Sequence, residues 1–268
     1  MPRPLLLLLG DSLTEKGSDC SSDGWICLLL TRFHRAADIA QRGMSGYSTQ
    51  WFMDYVASPL RDDLSTTMHP RLITLWLGAN DAALPDGPCG DQYVPLATYK
   101  SNLHALIKLF KDKAPQAELL LITPPPVDDN VRRVVFGGEK LDRSNAAAHE
   151  YARACVQVAR EANVQVLDLY TLFTTMRPGE QWKSLLVDGL HLSSEGNQLM
   201  EQLLTDLIRT KFSALERQLQ HTEFPLWTSR QRSEKVVAEM SGHHVMTMRA
   251  SETEAKRASH QGMASYSD

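Results

Sequence analysis

The sequence lacks a long apolar run and an excess of either charge. A membrane-spanning helix needs roughly 20 consecutive apolar residues, and no stretch of the 268 residues comes near that length. The 28 lysines and arginines stand against 32 aspartates and glutamates, for a formal net charge of −4. A nucleic-acid-binding surface normally carries a basic excess. We therefore expect a globular protein with no membrane span and no nucleic-acid partner.

Cysteine is scarce, and its spacing is irregular. The four cysteines are Cys20, Cys27, Cys89 and Cys155, and they include no CxxC pair, which favours free thiols in a reducing compartment. The apolar run at 5–9 stops at Gly10 and is too short for the apolar core of a signal peptide. These features predict a cytosolic protein.

Short apolar runs alternate with longer amphipathic stretches along the chain. The run at 5–9 is wholly apolar, as expected of a strand buried on both faces of a parallel sheet. Strands that alternate with helices favour right-handed crossovers, so the sequence predicts a three-layer α/β/α domain with a five-stranded, mainly parallel sheet. Predicted strands are 5–9, 36–40, 72–77, 119–122 and 164–169; predicted helices are 24–35, 49–64 with a break around Pro59, 98–113, 142–162 and 195–219.

The periodic pattern fades after Gln220. The segment 224–227 is apolar and is expected to dock on the domain, whereas 228–268 is polar and aperiodic. Such a composition buries too little apolar surface to order itself. We predict one domain at 1–227 and a disordered or weakly helical extension at 228–268.

Polar residues follow several of the predicted strands, where open parallel sheets bind their ligands. Asp11-Ser12 follows the first strand, Ser45-Gly46 the second and Asn80-Asp81 the third; Asp188-Gly189-Leu190-His191 comes about twenty residues after the fifth. If the strands are correct, these segments share one rim of the sheet.

Together these segments contain the parts needed for acyl transfer. A serine hydroxyl such as that of Ser12 needs a base, and histidine serves best near neutral pH. Asp188 and His191 are three residues apart, so they project together and the carboxylate can hold the imidazole. Backbone N–H groups of Ser12 and Gly46 and the amide of Asn80 can supply donors for an oxyanion.

Each motif alone has an ordinary structural interpretation. Asp11 or Ser12 can be a helix N-cap, Asn80-Asp81 can be a common loop that Asp81 braces, and Asp188-x-x-His191 can be a capping pair or two metal ligands. Their joint occurrence, with three directly after predicted strands, favours an active site. The remaining histidines have no metal-site pattern, so no metal or cofactor is expected.

The same residues resemble the four sequence blocks of the SGNH (GDSL) hydrolases, in the family's order. The blocks are Leu9-Gly10-Asp11-Ser12-Leu13-Thr14, Ser45-Gly46, Gly78-Ala79-Asn80-Asp81 and Asp188-Gly189-Leu190-His191. The segments 41–43, 77–82 and 186–192, with Gly46-Tyr47 and Trp51, are most similar to the isoamyl-acetate-hydrolysing esterase branch.

This resemblance covers about 5–227 and implies a flavodoxin-like fold. It implies Ser12 as nucleophile, His191 as base and Asp188 as its partner, with an oxyanion hole formed by Ser12, Gly46 and Asn80. The extension beyond Trp227 departs from the branch, whose members usually end soon after this point.

The leading hypothesis is a serine esterase that acts on short-chain, chiefly acetyl, esters without a cofactor or metal. One alternative keeps the fold but changes the substrate, giving a thioesterase, a lysophospholipase or a carbohydrate deacetylase. Another is a catalytically idle scaffold whose extension binds a partner. The sequence leaves both a monomer and a homodimer open.

Overall fold

The computed structural model describes residues 3–138, 140–224 and Trp227. The chain divides into two units, Met1–Thr222 and Glu223–Asp268, and the fold below is that of the first. The predicted polar extension at 228–268 lies outside the described residues.

The sheet has five strands, and every neighbouring pair is parallel. The strands lie in the order β2-β1-β3-β4-β5, so the strand nearest the N-terminus is flanked on both sides. This arrangement, with helices on both faces, confirms the predicted α/β fold. The strands are β1 (Leu5–Gly10), β2 (Asp38–Gly43), β3 (Pro70–Trp76), β4 (Glu118–Ile122) and β5 (Gln165–Leu167).

Helices connect the strands as the alternating pattern predicts. None of those among the described residues is both long and apolar enough to cross a membrane. The α-helices are α1 (Ser12–Glu15), α2 (Trp25–Phe33), α3 (Thr49–Trp51), α4 (Ala57–Thr66), α5 (Leu96–Lys113), α6 (Asp129–Val135), α7 (Asn145–Glu161), α8 (Leu169–Met176), α9 (Ser194–Lys211) and α10 (Ser213–Leu219). A π-helical segment, Phe52–Val56, joins α3 to α4, and 3₁₀ turns occur at Lys16–Ser18, Cys20–Ser22, Gly90–Gln92 and Gln181–Leu185.

Strand β1 separates two hydrophobic cores. Leu6 and Leu8 face a core formed with α2 and α9, whereas Leu7 and Leu9 face one formed with α4, α5 and α7. All four side chains are almost fully buried. A strand with both faces covered has no polar alternation, which explains the wholly apolar run.

The predicted break at Pro59 is wrong, because α4 runs through this residue. The irregularity lies earlier, in the π-helical segment Phe52–Val56. Pro59 is the third residue of α4, and a π-helical turn just before it interrupts the ladder of i to i−4 hydrogen bonds. Proline lacks a backbone N–H, and this loss is tolerated at position 59 as it is in the first turn of a helix.

The C-terminal and β5 regions also differ from the prediction. The single helix predicted at 195–219 is two helices, since Phe212 between α9 and α10 has non-helical φ and ψ of −118° and 59° and a buried side chain.

The fifth strand ends at Leu167, and Asp168 caps α8 by accepting from the backbone N–H of Thr171 at 3.2 Å. Neither α6 nor α8 was predicted, because both are short and follow a strand closely.

The expectation of four free thiols is wrong for Cys20 and Cys27, which form a disulfide. A 3₁₀ turn carries Cys20 back towards α2, so the two Cα atoms lie 5.6 Å apart, within the range a disulfide needs. Cys89 and Cys155 are free. The cysteines therefore no longer support a cytosolic location, which stays a prediction.

Shortening a side chain of β1 tests the importance of its burial. Leu8→Ala leaves a cavity in the core, and we expect it to lower the free energy of unfolding by about 2–5 kcal/mol, measured by urea denaturation. Leu30→Ala is the control, because Leu30 of α2 is 44% exposed. Equal losses in the two variants would contradict the assignment of β1 to the centre of the fold.

Candidate active site

The structure brings Ser12, Asp188 and His191 together at the carboxyl edge of the sheet. His191 Nε2 lies 2.9 Å from Ser12 Oγ, although the two residues are 179 positions apart. His191 Nδ1 lies 2.7 Å from Asp188 Oδ2. A continuous chain of hydrogen bonds therefore runs from the carboxylate through the imidazole to the hydroxyl.

Ser12 is fixed by the junction between β1 and α1. Asp11 caps the helix, and its Oδ1 accepts from the backbone N–H of Leu13 at 2.9 Å. A Cβ at Gly10 would lie 2.2 Å from Oγ1 of Thr14, so only glycine allows this close turn. The chain therefore passes from β1 into α1 at Ser12 with only Asp11 between them.

Asp188 and His191 occupy a tight turn. Oδ1 of Asp188 accepts from the backbone N–H groups of Leu190 and His191 at 3.1 and 2.8 Å, which leaves Oδ2 for the imidazole. Gly189 adopts φ +81°, a conformation that favours glycine. The predicted pairing of a carboxylate and a histidine three residues later thus occurs on a turn.

The carboxyl group of Asp188 stays ionised. Burial alone would raise its pKa, but hydrogen bonds from the His191 side chain and backbone outweigh burial and hold the pKa below the usual range. An ionised carboxylate only accepts, so in the neutral imidazole the proton lies on Nδ1. His191 Nε2 is then free to accept from the hydroxyl of Ser12.

The three predicted oxyanion donors lie on neighbouring loops. Nδ2 of Asn80 donates to the carbonyl oxygen of Tyr47 at 2.9 Å, which joins the loop after β3 to the loop that contains Gly46. Within the part of the chain that the structure describes, the backbone N–H groups of Ser12 and Gly46 donate to no protein acceptor. They remain available to a ligand.

Two further carboxyl groups are fully buried at this edge. Asp81 braces its loop, as the sequence suggested, because its carboxyl oxygens accept from the backbone N–H and the hydroxyl of Thr49. Oδ2 of Asp11 has no hydrogen-bond partner among the described residues. Burial raises the pKa of both Asp11 and Asp81 to about 7.

A small cavity of about 280 Å³ lies beside the imidazole. Leu13, Val187 and Leu192 give it apolar walls, and Lys16 adds a charge near His191. This volume is below the 300–1,000 Å³ common for drug-sized ligands, so the cavity suits a small group.

An exposed aromatic cluster lies on and after the loop that contains Gly46. Tyr47, Trp51 and Tyr55 contact one another with ring centroids 5.4 to 6.5 Å apart. Trp51 is 47% and Tyr55 61% exposed, whereas Phe52 is buried in the core. Phe52 instead packs in the core that contains Leu7 and Leu9 of β1.

Sequence reasoning missed two arginines that contact the site. Arg143 donates to Oδ1 of Asn80 at 2.5 Å, and Arg132 lies 3.5 Å from Oδ2 of Asp188. Their partners are more than fifty positions away in the sequence, so no local pattern indicates them.

His104 and His149 lie outside this site. His104 pairs with Glu161 at 3.0 Å on the surface, and His149 stacks on Tyr170. Over residues 3–138, 140–224 and Trp227, no group of three His, Cys, Asp or Glu side chains has the geometry to hold a metal ion. The pair His243-His244 lies outside these residues.

Known proteins are similar to most of this chain. The model of the GDSL-like lipase/acylhydrolase family matches residues 8–199. The human isoamyl acetate-hydrolyzing esterase 1 homolog is 38% identical over 216 residues, covering 79% of this chain and 84% of that protein. A GDSL esterase/lipase of Arabidopsis thaliana is 38% identical over 207 residues, covering 75% of this chain and 83% of that protein.

Solved structures share the fold. The acetylxylan esterase Axe2 of Geobacillus stearothermophilus is similar with a TM-score of 0.61 and 18% identity, covering 76% of this chain and 94% of that one. A lipase/acylhydrolase of Enterococcus faecalis is similar with a TM-score of 0.55 and 24% identity, covering 76% of this chain and 95% of that one.

The buried carboxyl groups predict how stability depends on pH. Unfolded aspartates have a pKa of 3.8, whereas Asp11 and Asp81 titrate near 7 in the native state. The native state therefore binds more protons between these values, and stability falls as pH rises through 7. We expect the melting temperature to fall between pH 5 and pH 8, and to fall less in Asp81→Asn.

The control is Asp62→Asn, which changes an exposed residue of α4. It should leave the slope of melting temperature against pH unchanged. An identical slope in wild type and Asp81→Asn would show that Asp81 does not titrate in this range.

Proposed function

The chain belongs to the GDSL-like lipase/acylhydrolase family and is a carboxylic ester hydrolase, and we propose that it cleaves short-chain esters, chiefly acetyl esters, through an acyl-enzyme on Ser12. The observation that carries this proposal is the hydrogen-bond chain from Asp188 through His191 to Ser12. We propose that residues 1–227 form the catalytic domain.

In the first half-reaction, Ser12 Oγ attacks the ester carbonyl while His191 Nε2 takes the hydroxyl proton. The tetrahedral intermediate collapses as His191 returns that proton to the leaving alcohol. Water then attacks the acyl-enzyme with His191 as base, which releases the acid and restores Ser12. Asp188 stays ionised throughout and stabilises the imidazolium.

Negative charge develops on the carbonyl oxygen in both tetrahedral intermediates. We assign its stabilisation to the backbone N–H groups of Ser12 and Gly46 and to Nδ2 of Asn80. Donors fixed before the reaction need no reorganisation when charge develops. Their attachment to adjacent loops at the sheet edge supports this assignment.

The cavity beside His191 supports a small leaving alcohol. The cavity beside His191 measures about 280 Å³, and a leaving alcohol must lie close to the imidazole that protonates it. The relatives at 38% identity include a protein whose name specifies isoamyl acetate hydrolysis. Both facts favour an acetyl ester of a small alcohol.

A carbohydrate deacetylase is the second candidate, and the aromatic cluster favours it. Exposed, contiguous apolar surface often marks a binding site, and the rings of Trp51 and Tyr55 offer faces on which a sugar can stack. Tyr47 connects this cluster to Asn80 through its carbonyl oxygen.

Removing the nucleophile tests the mechanism. Ser12→Ala should abolish turnover of p-nitrophenyl acetate and labelling by a fluorophosphonate probe, since no other group forms the acyl-enzyme. Its melting temperature should stay close to that of the wild type, because the change removes one hydroxyl. Hydrolysis by this variant at the wild-type rate would refute the assignment.

Ser45→Ala is the matched control, because Ser45 lies on the loop that contains Gly46. Its backbone N–H donates to Oε2 of Glu15, and alanine keeps that N–H. It should remain active and be labelled. A wild-type protein that neither hydrolyses the ester nor reacts with the probe would support the idle-scaffold alternative.

A series of p-nitrophenyl esters with increasing acyl length tests the substrate class. We expect kcat/KM to be highest for acetate and to fall as the acyl chain lengthens, as the proposed preference for acetyl esters requires. A maximum at long chains would favour a lysophospholipase-like or thioesterase activity. Higher kcat/KM for acetylated xylooligosaccharides than for isoamyl acetate would favour the deacetylase.

A further inference from the structure

The side-chain amide of Asn80 has two orientations, and only one presents an N–H group to an oxyanion. Nδ2 donates one of its two hydrogens to the carbonyl oxygen of Tyr47. Oδ1 accepts from Nη2 of Arg143 at 2.5 Å. A guanidinium has five donors and no acceptor, so the atom facing Arg143 must be the oxygen. Arg143 therefore excludes the flipped amide.

Arg143 is itself held rigidly. It is almost fully buried, and its Nε donates to the carbonyl oxygen of Ala79 at 2.8 Å. Nη2 also donates to Oε1 of Gln92 at 2.5 Å, and Nη1 donates to Asp142. The guanidinium thus binds both the backbone before Asn80 and the side chain of Asn80.

Asp142 connects Arg143 to a second arginine. It accepts from Nε and Nη2 of Arg132 at 3.1 and 2.6 Å, and none of these three side chains is more than slightly exposed. Nη1 of Arg132 donates to the carbonyl oxygen of Asp188 at 3.2 Å. A buried Arg–Asp–Arg bridge therefore runs from the Asn80 loop to the Asp188 turn.

We propose that Arg143 is a positioning residue that fixes the amide of Asn80 for oxyanion stabilisation, and that Asp142 and Arg132 anchor it to the turn that carries Asp188. This inference rests on the proposed function, because it assumes that Asn80 donates to the oxyanion. Arg143 does not touch the substrate; it acts through Asn80.

A double-mutant cycle tests this inference. Wild type, Asn80→Ala, Arg143→Lys and the double variant are compared on p-nitrophenyl acetate. Asn80→Ala should lower kcat by about 10²–10³-fold. Lysine keeps the charge but lacks the planar fork, so Arg143→Lys should lower kcat at least about tenfold with KM changed less than about threefold. The double variant should be no slower than Asn80→Ala, since no amide remains to orient.

Arg32→Lys is the matched control. It makes the same change in an arginine that pairs with Glu201 between α2 and α9, and it should keep wild-type kcat. Melting temperatures of all variants separate a loss of folded protein from a loss of turnover. If Arg143→Lys does not fold, Asp142→Asn replaces it, with the same expected pattern alone and combined with Asn80→Ala.

Three results overturn the inference. The first is a kcat within about twofold of wild type in Arg143→Lys; the second is a double variant slower by the product of the two single losses. With either of these two results, an active wild type and a slow Asn80→Ala variant would still support the proposed function. The third, an Asn80→Ala variant as fast as wild type, removes the oxyanion assignment and this inference with it.

Discussion

The imidazole of His191 joins two parts of the chain that are far apart in sequence. It reaches a serine hydroxyl 179 positions earlier and a carboxylate three positions earlier. The contact depends on β1, because this strand is flanked on both sides and buried on both faces. A one-residue slip in β1 would exchange its two buried faces and move Ser12 away from the imidazole. Packing at the centre of the sheet thus determines the geometry at its edge.

The buried carboxyl groups at the carboxyl edge of the sheet lie in two different environments. Arg132 and Arg143 hold the pKa of Asp142 below its usual range, although burial alone would raise it. Asp11 and Asp81 have no such partners within bonding distance, and burial raises the pKa of both. An unpaired buried charge is costly. The carboxyl groups of Asp11 and Asp81 therefore approach neutrality, whereas that of Asp142 stays ionised between two arginines.

Local signals explain how much could be predicted from the sequence. An apolar run such as 5–9 and the residues directly after it depend on few neighbours, so the strands and the grouping of Ser12, Gly46 and Asn80 were predictable. Asp188 and His191 share one turn, which their spacing indicates. Arg143 carries no comparable signal, because its contact with Asn80 spans 63 positions. The break at Phe212 likewise depends on burial of its side chain, which no local periodicity reveals.

The order of these residues has a consequence for synthesis. Chains leave the ribosome from the N-terminus, so Ser12 emerges among the earliest residues, whereas His191 emerges 179 residues later, shortly before α9. β1 can pair with β3 only after residues 70–76 have been synthesised. A polypeptide that ends before position 191 therefore contains Ser12 without the imidazole that contacts it in the folded domain. The complete hydrogen-bond chain can therefore form only after translation has passed position 191.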